Sequence, residues 1–217
     1  MPPSNIRKNR KQRGRRGRVY LLGTLVLVII VAVGWYVYAS SQSANTNVAT
    51  VYAKLNTSQG PMTVELYQSA TPKTVTNFVN LARSGFYDNL VWHRIVEGFV
   101  IQTGDPNTRN GGGDRSLWGT GGSSQTVPLE IDDSLNNYVG YLGMARSQDP
   151  NSGSSQFYIN LANNASLDGQ YTVFGKVISG TDSAFAIANV PTHTQDPYKD
   201  QPIDPVFLTS VTISSSP

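Results

Sequence analysis

The sequence contains no cysteine, which excludes disulfides and thiolate metal sites. Only His93 and His193 supply imidazoles, so a zinc site would have to be completed by carboxylates. No Gly-X-Ser-X-Gly occurs, which removes the elbow on which many serine hydrolases present their nucleophile. The glycines of Gly111-Gly112-Gly113 and Gly119, Gly121 and Gly122 lack a Gly-Lys-Ser/Thr and a following helical pattern. Pro106 to Ser124 therefore reads as a long surface loop and not as a phosphate cradle. There is no internal repeat.

What is present begins with charge. The net charge of +3 averages two unlike segments. Residues 7–18 carry eight basic side chains and no acid; taking these from the 17 basic residues leaves nine against 14 acidic ones, a net of −5 for the remainder. Such a basic run can bind phosphate backbones, but the apolar segment next to it argues against nucleic acid as the partner. Residues 19–39 are 21 uncharged, mostly apolar residues ending in Trp35, Tyr36 and Tyr38. A helix of that length spans the ~30 Å hydrocarbon layer, with the aromatics at the interface. The expected domains are thus a basic cytoplasmic tail (1–18), a single transmembrane helix (19–39), a flexible polar linker (40–48) and one folded domain (49–217). The basic flank keeps the N-terminus cytoplasmic and sends the domain across the membrane. Val37-Tyr38-Ala39 could pass as a signal-peptidase site, but the apolar run exceeds a signal peptide's core of about 7–15 residues, which favours an uncleaved anchor.

Within the domain, residues 49–56 and 62–67 alternate as a β-hairpin. Thr71-Pro72 opens a helix, with Thr71 as cap and Val75, Phe78, Val79 and Ala82 as the buried stripe, and Gly85 ends it. Residues 127–131 and 139–145 read as further short strands. Thr181 or Asp182 caps a second helix through Ala188 that carries Phe185 inward, and residues 206–213 form a last strand. Many short strands, two helices and no βαβ alternation indicate a mainly β barrel or sandwich.

Three stretches carry chemistry. In the first, Trp92 to Asp105, two strands flank a tight turn at Glu97-Gly98. Alternation puts Trp92 and Arg94 on one face of the first strand, and Val100 and Gln102 together, opposite Phe99 and Ile101, on the second. The guanidinium of Arg94 beside an apolar floor suits polarisation of a neutral carbonyl or amide. The second stretch is Gly143-Met144-Ala145-Arg146 followed by Pro150-Asn151 and Ser155-Gln156-Phe157. The third joins Leu167-Asp168-Gly169 to Val173-Phe174-Gly175.

Together, His93-Arg94, Gly98-Phe99, Gln102, Gly104-Asp105 and the two later stretches resemble the cyclophilin-type peptidyl-prolyl cis-trans isomerases, in a membrane-anchored, bacterial-like form. The resemblance covers most of residues 50–213. It implies a closed eight-stranded antiparallel barrel with a helix over each end, and rotation about Xaa-Pro bonds without a cofactor. It assigns catalysis to Arg94 and the proline pocket to Phe99, Val100, Tyr158 and Leu167. Gln102 becomes a donor to the substrate backbone, and Ala145, Arg146, Gln156 and Gly111 line the groove. Tyr171 offers a hydroxyl where many members have His, and His93 is counted among the substrate-binding residues, although a histidine there is more often a structural hydrogen-bonder than a catalyst. The chain departs from the family at Trp92, Val100, Thr103, Arg146, Tyr158 and Ser166, and by one extra residue in the Pro150-Asn151 turn. Ser166 stands where members that bind cyclosporin tightly have Trp, so weak cyclosporin binding is expected.

Two other functions are to be weighed. One is a proline-peptide-binding chaperone module without turnover, for which Arg94 would be dispensable. The other is a hydrolase combining His93, an aspartate and a serine.

Overall fold

The computed structural model describes residues 32–33 and 50–217. The expected tail, membrane helix and linker lie outside the described residues except for Ala32 and Val33. Among the described residues no helix is long and apolar enough to cross a membrane. Everything from Thr50 onward belongs to one compact unit, Val48–Pro217.

Nine strands and two α-helices make up that unit: β1 (Val51–Thr57), β2 (Met62–Leu66), α1 (Pro72–Arg83), β3 (Leu90–Val91), β4 (Arg94–Val96), β5 (Val100–Thr103), β6 (Tyr141–Met144), β7 (Phe157–Asn160), β8 (Val173–Ser179), α2 (Thr181–Ala188) and β9 (Phe207–Ser214). The strands form one antiparallel sheet in the order β3-β9-β1-β2-β8-β6-β7-β5-β4. The expected closed eight-stranded barrel is therefore corrected to an open half-barrel. Its two edge strands, β3 and β4, are separated in sequence only by Trp92-His93, yet they do not pair. The reason lies in where the edge donors go: Trp92 N donates to Val206 O at 2.9 Å and Ile95 N to Asp200 O at 2.8 Å. The chain before β9 thus covers the β4 edge, which would otherwise be a template for foreign strands.

The hairpin β1-β2 and the turn between β4 and β5 form as the alternation predicts, and α1 buries Val75, Phe78, Val79 and Ala82 as expected. Four local expectations are corrected. Thr71 precedes α1 but makes no side-chain cap; the Glu130 carboxylate accepts from Lys73 N at 3.1 Å and Thr74 N at 2.8 Å instead. Residues 127–131 contribute only one bridge, Val127 to Gly153, because the segment delivers Glu130 to the helix. Helix α2 is preceded by Gly180 in the left-handed region (φ 80°), so Thr181 and Asp182 lie within its first turn. Phe185 points outward, 41% exposed, and Ala184, Ile187 and Ala188 fill the core side.

Trp92 also departs from its expected face. It falls in the break between β3 and β4, fully buried, edge-on to Phe157 at 6.0 Å between ring centroids. Phe157 also packs on Phe78, Tyr87 and Phe174. This aromatic cluster is the rigid floor under the strands that carry the site.

Candidate active site

One row of residues runs across four strands. Arg94 of β4 pairs with Gln102 of β5, Gln102 with Tyr158 of β7, and Tyr158 with Gly143 of β6. Paired positions share a face, so the guanidinium, the amide and the phenol ring lie side by side. The row ends in glycine for a steric reason: a Cβ at Gly143 would collide with the Tyr158 ring at Cζ. The ring occupies the space a side chain there would take.

Around this row lies a cleft of about 330 Å³, lined by Arg94, Phe99, Val100, Gln102, Arg146, Tyr158, Leu167 and Tyr171. Val100 and Tyr158 are only 2% and 4% exposed, which makes the floor dry. Phe99 belongs to the turn before β5, not to the strand, so it reaches the cleft together with Val100 and Gln102 rather than the opposite face that alternation gave it. Arg94 lies over its ring, 5.7 Å from the centroid. Leu167 closes a short 3-10 turn, Ala165–Leu167. Tyr171 stands edge-on to Tyr158 at 6.0 Å and carries the Arg146 guanidinium 4.6 Å from its own centroid.

A second compartment of about 290 Å³ adjoins the first, sharing Gln102 and Arg146 and adding Ala145, Gln156, several serines and the 119–122 loop. A relay of amides separates the two. Arg94 Nη1 donates to Gln102 Oε1 at 3.5 Å, Gln102 Nε2 to Gln156 Oε1 at 2.9 Å, and Gln156 Nε2 to the carbonyls of Gly119 at 3.0 Å and Gly121 at 2.6 Å. One N–H of Gln102 is thus already engaged, and the other remains for a peptide.

Two expected site residues lie elsewhere. Gly111 ends a 3-10 segment (Pro106–Gly111) against Pro205 and Phe207, away from the residues lining either compartment. His93 is 3% exposed behind the row, with neither ring nitrogen partnered. Burial lowers its pKa to about 4, against the opposing pull of Asp105, so the imidazole is neutral near pH 7. It lines neither compartment, so the substrate-binding role expected of it is not met by its position. This also removes the hydrolase reading, since the Ser147 and Ser152 hydroxyls in the second compartment bond each other and a backbone carbonyl, not an imidazole.

Sequence reasoning missed two buried groups that hold the site. The fully buried Asp105 carboxylate accepts from Asn107 N at 2.8 Å, Gly119 N at 2.5 Å and Gly121 N at 3.2 Å, which ties the glycine loop to the end of β5. Gly121 is required there, because a Cβ would collide with Asp105 Oδ1. Asn137, 1% exposed, accepts from Tyr158 Oη at 2.8 Å and donates N and Nδ2 to Asp168 Oδ1 at 2.7 and 3.1 Å. Asn164 Nδ2 in turn donates to Phe99 O at 2.9 Å and to Asn160 Oδ1 at 2.7 Å. Gly104-Asp105 and Leu167-Asp168-Gly169 were visible as motifs, but nothing in them names these partners.

The arrangement suits a small apolar ring held beside a fixed cation. Comparison with known proteins agrees. A family model described as cyclophilin type peptidyl-prolyl cis-trans isomerase/CLD matches residues 52–213. The chain is 40% identical over 147 residues to peptidyl-prolyl cis-trans isomerase CYP18-2 of Arabidopsis thaliana, covering 65% of this chain and 83% of that protein. It is 34% identical over 192 residues to a peptidyl-prolyl cis-trans isomerase of Acinetobacter baylyi, covering 86% of this chain and 95% of the relative. Among solved structures, a cyclophilin type peptidyl-prolyl cis-trans isomerase of Cryptosporidium parvum superposes with a TM-score of 0.68 at 32% identity, over 77% of this chain and 99% of that one. A second crystal structure of that protein, obtained in the presence of the dipeptide Ala-Pro, gives a TM-score of 0.66 at 33% identity, over 75% and 98% of the two chains. From β1 to β9, then, this chain belongs to the cyclophilin-type peptidyl-prolyl cis-trans isomerases and is an isomerase.

Proposed function

We propose that this isomerase turns over Xaa-Pro bonds in the cleft beside Arg94, in a domain held outside the cytoplasm by residues 19–39. Rotation about the amide has to break resonance, with a barrier of about 18–20 kcal/mol. Lowering it by about 7 kcal/mol accelerates the reaction about 10⁵-fold. The proline ring enters the dry floor formed by Phe99, Val100, Tyr158 and Leu167. As the bond twists, the nitrogen lone pair localises, and the Arg94 guanidinium at the rim stabilises it and the prolyl carbonyl better than the planar state. Gln102, Gln156, Ala145 and Arg146 hold the flanking peptide. The single observation that carries this reading is the row Arg94–Gln102–Tyr158, which sets a permanent cation against a closed apolar floor. A peptide-holding chaperone would have no use for that cation. The Cryptosporidium parvum structure obtained in the presence of the dipeptide Ala-Pro supports proline-containing polypeptides as the substrates.

The anchored, bacterial-like form rests on the eight basic residues of 7–18, the uncharged run 19–39 and the likeness to the Acinetobacter baylyi relative over 86% of this chain. Cyclosporin binds weakly on this reading, because Ser166 offers no large apolar surface.

The test uses the detergent-solubilised full chain and a chromogenic Xaa-Pro peptide. Arg94→Ala loses about 100-fold or more in kcat/KM with an unchanged circular dichroism spectrum. A variant rate near wild type would sink the mechanism. A reporter fused after Pro217 reads out beyond the cytoplasm, and the protein stays with membranes after a carbonate wash. Recovery of a free soluble form beginning at Ser40 would refute the anchor.

A further inference from the structure

Residues 50–217 hold nine basic and 14 acidic side chains, yet the two compartments of the site are lined by two arginines and no acid. The acceptors of both guanidiniums are neutral oxygens. Arg94 donates to the Gln102 amide. Arg146 Nε donates to Gln170 O at 3.0 Å, and its Nη1 to Ser147 O at 2.9 Å and Gln148 O at 3.5 Å. The nearby carboxylates are engaged elsewhere: Asp168 accepts from Asn137, Asp149 from Asn151 N, and Asp105 from the glycine loop.

Among the described residues Arg146 Nη2 has no acceptor, and Arg146 is the one charged residue that lines both compartments. Stacking on Tyr171 and the carbonyl bonds fix its fork in place, so little side-chain entropy is lost when a ligand engages it. Charges farther than a Debye length, about 8 Å at physiological ionic strength, are largely screened. Within that range the two guanidiniums are the charged groups that line the compartments themselves.

Building on the isomerase reading, we infer that Arg146 makes this cleft selective for proline segments that carry an acidic side chain within two residues of the proline. The carboxylate enters the second compartment and accepts from Nη2, while the proline occupies the floor beside Arg94. The substrates so favoured are Glu- or Asp-flanked Xaa-Pro sequences.

The experiment compares kcat/KM of the full chain on matched peptides with Glu or Gln at each of the two positions before and the two after proline. At one or more positions Glu is favoured about five-fold at low ionic strength, and 1 M NaCl brings the ratio close to one. In Arg146→Gln the ratio falls below about two; because it compares two peptides on one protein, a general loss of activity cancels. Should that variant fail to fold, the wild-type ratio and its salt dependence decide alone. Turnover of every Gln peptide with no Glu preference at any position overturns this inference and leaves the isomerase intact. A Glu preference that survives Arg146→Gln unchanged overturns the role of Arg146. No turnover of any peptide overturns the isomerase reading and this inference with it.

Discussion

The Tyr158 hydroxyl donates to Asn137 Oδ1 at 2.8 Å, beneath the floor of the proline cleft. The same oxygen accepts from Asn160 Nδ2 at 3.2 Å, while Asn137 donates its backbone N–H and one Nδ2–H to Asp168. Through these bonds the floor residue Tyr158 is tied to the segment that carries Leu167. Burial pushes the phenol above its ordinary pKa, so it stays a neutral donor at physiological pH.

A buried group left without its partner costs more than the net value of the bond itself. Tyr158→Phe therefore costs about 1 kcal/mol, because Asn137 keeps Asn160 and Asp168. Asn137→Ala strands the hydroxyl and costs about 2–3 kcal/mol. In urea unfolding the double variant is less destabilised than the sum of the two. Strict additivity would show that the pair is not coupled.

His93 gives stability a pH dependence. Its folded pKa of about 4 lies below the ordinary value near 6.5, so the unfolded chain takes up the proton first. The contribution is full above pH ~6.5 and is lost as pH falls towards 4, by about 3 kcal/mol. Chemical unfolding at pH 7 and pH 4.5 measures it, and His93→Gln shows a smaller difference between the two pH values. Equal differences in both proteins would mean that His93 is solvated or paired.

Glu130 caps α1 from 56 residues away. Glu130→Ala lowers stability by about 1 kcal/mol, the usual value of a helix cap. A thermal melt reads the loss, with kcat/KM unchanged since Glu130 lines neither compartment. A loss below about 0.3 kcal/mol would mean that water serves those N–H groups equally well.

Ser166 is exposed, and its carbonyl accepts from Gln170 Nε2 at 2.7 Å. An aromatic in its place adds up to about 150–250 Å² of apolar surface at ~25 cal/mol per Å². Ser166→Trp tightens cyclosporin inhibition ten-fold or more, and peptide turnover changes far less because position 166 does not line the cleft. Inhibition constants within a factor of two would place position 166 away from the drug.

Local chemistry, acting over a few residues, was readable in the chain. The alternation of β1 and β2, the stripe on α1, and the turn at Gly98 with its left-handed φ of 67° all follow from it. Of the twelve residues assigned to the site by motif, eight line the cleft, Ala145 and Gln156 line the compartment beside it, and Gly111 and His93 line neither. Only the tertiary structure decided which way Trp92 and Phe185 face, that Gly111 lies against Pro205 and Phe207, and that the sheet stays open at β3 and β4. It alone paired Glu130 with α1, Asp105 with the glycine loop and Asn137 with Tyr158. A buried donor or acceptor bonds whatever the folded chain brings within about 3 Å, and that choice leaves no periodic trace along the sequence.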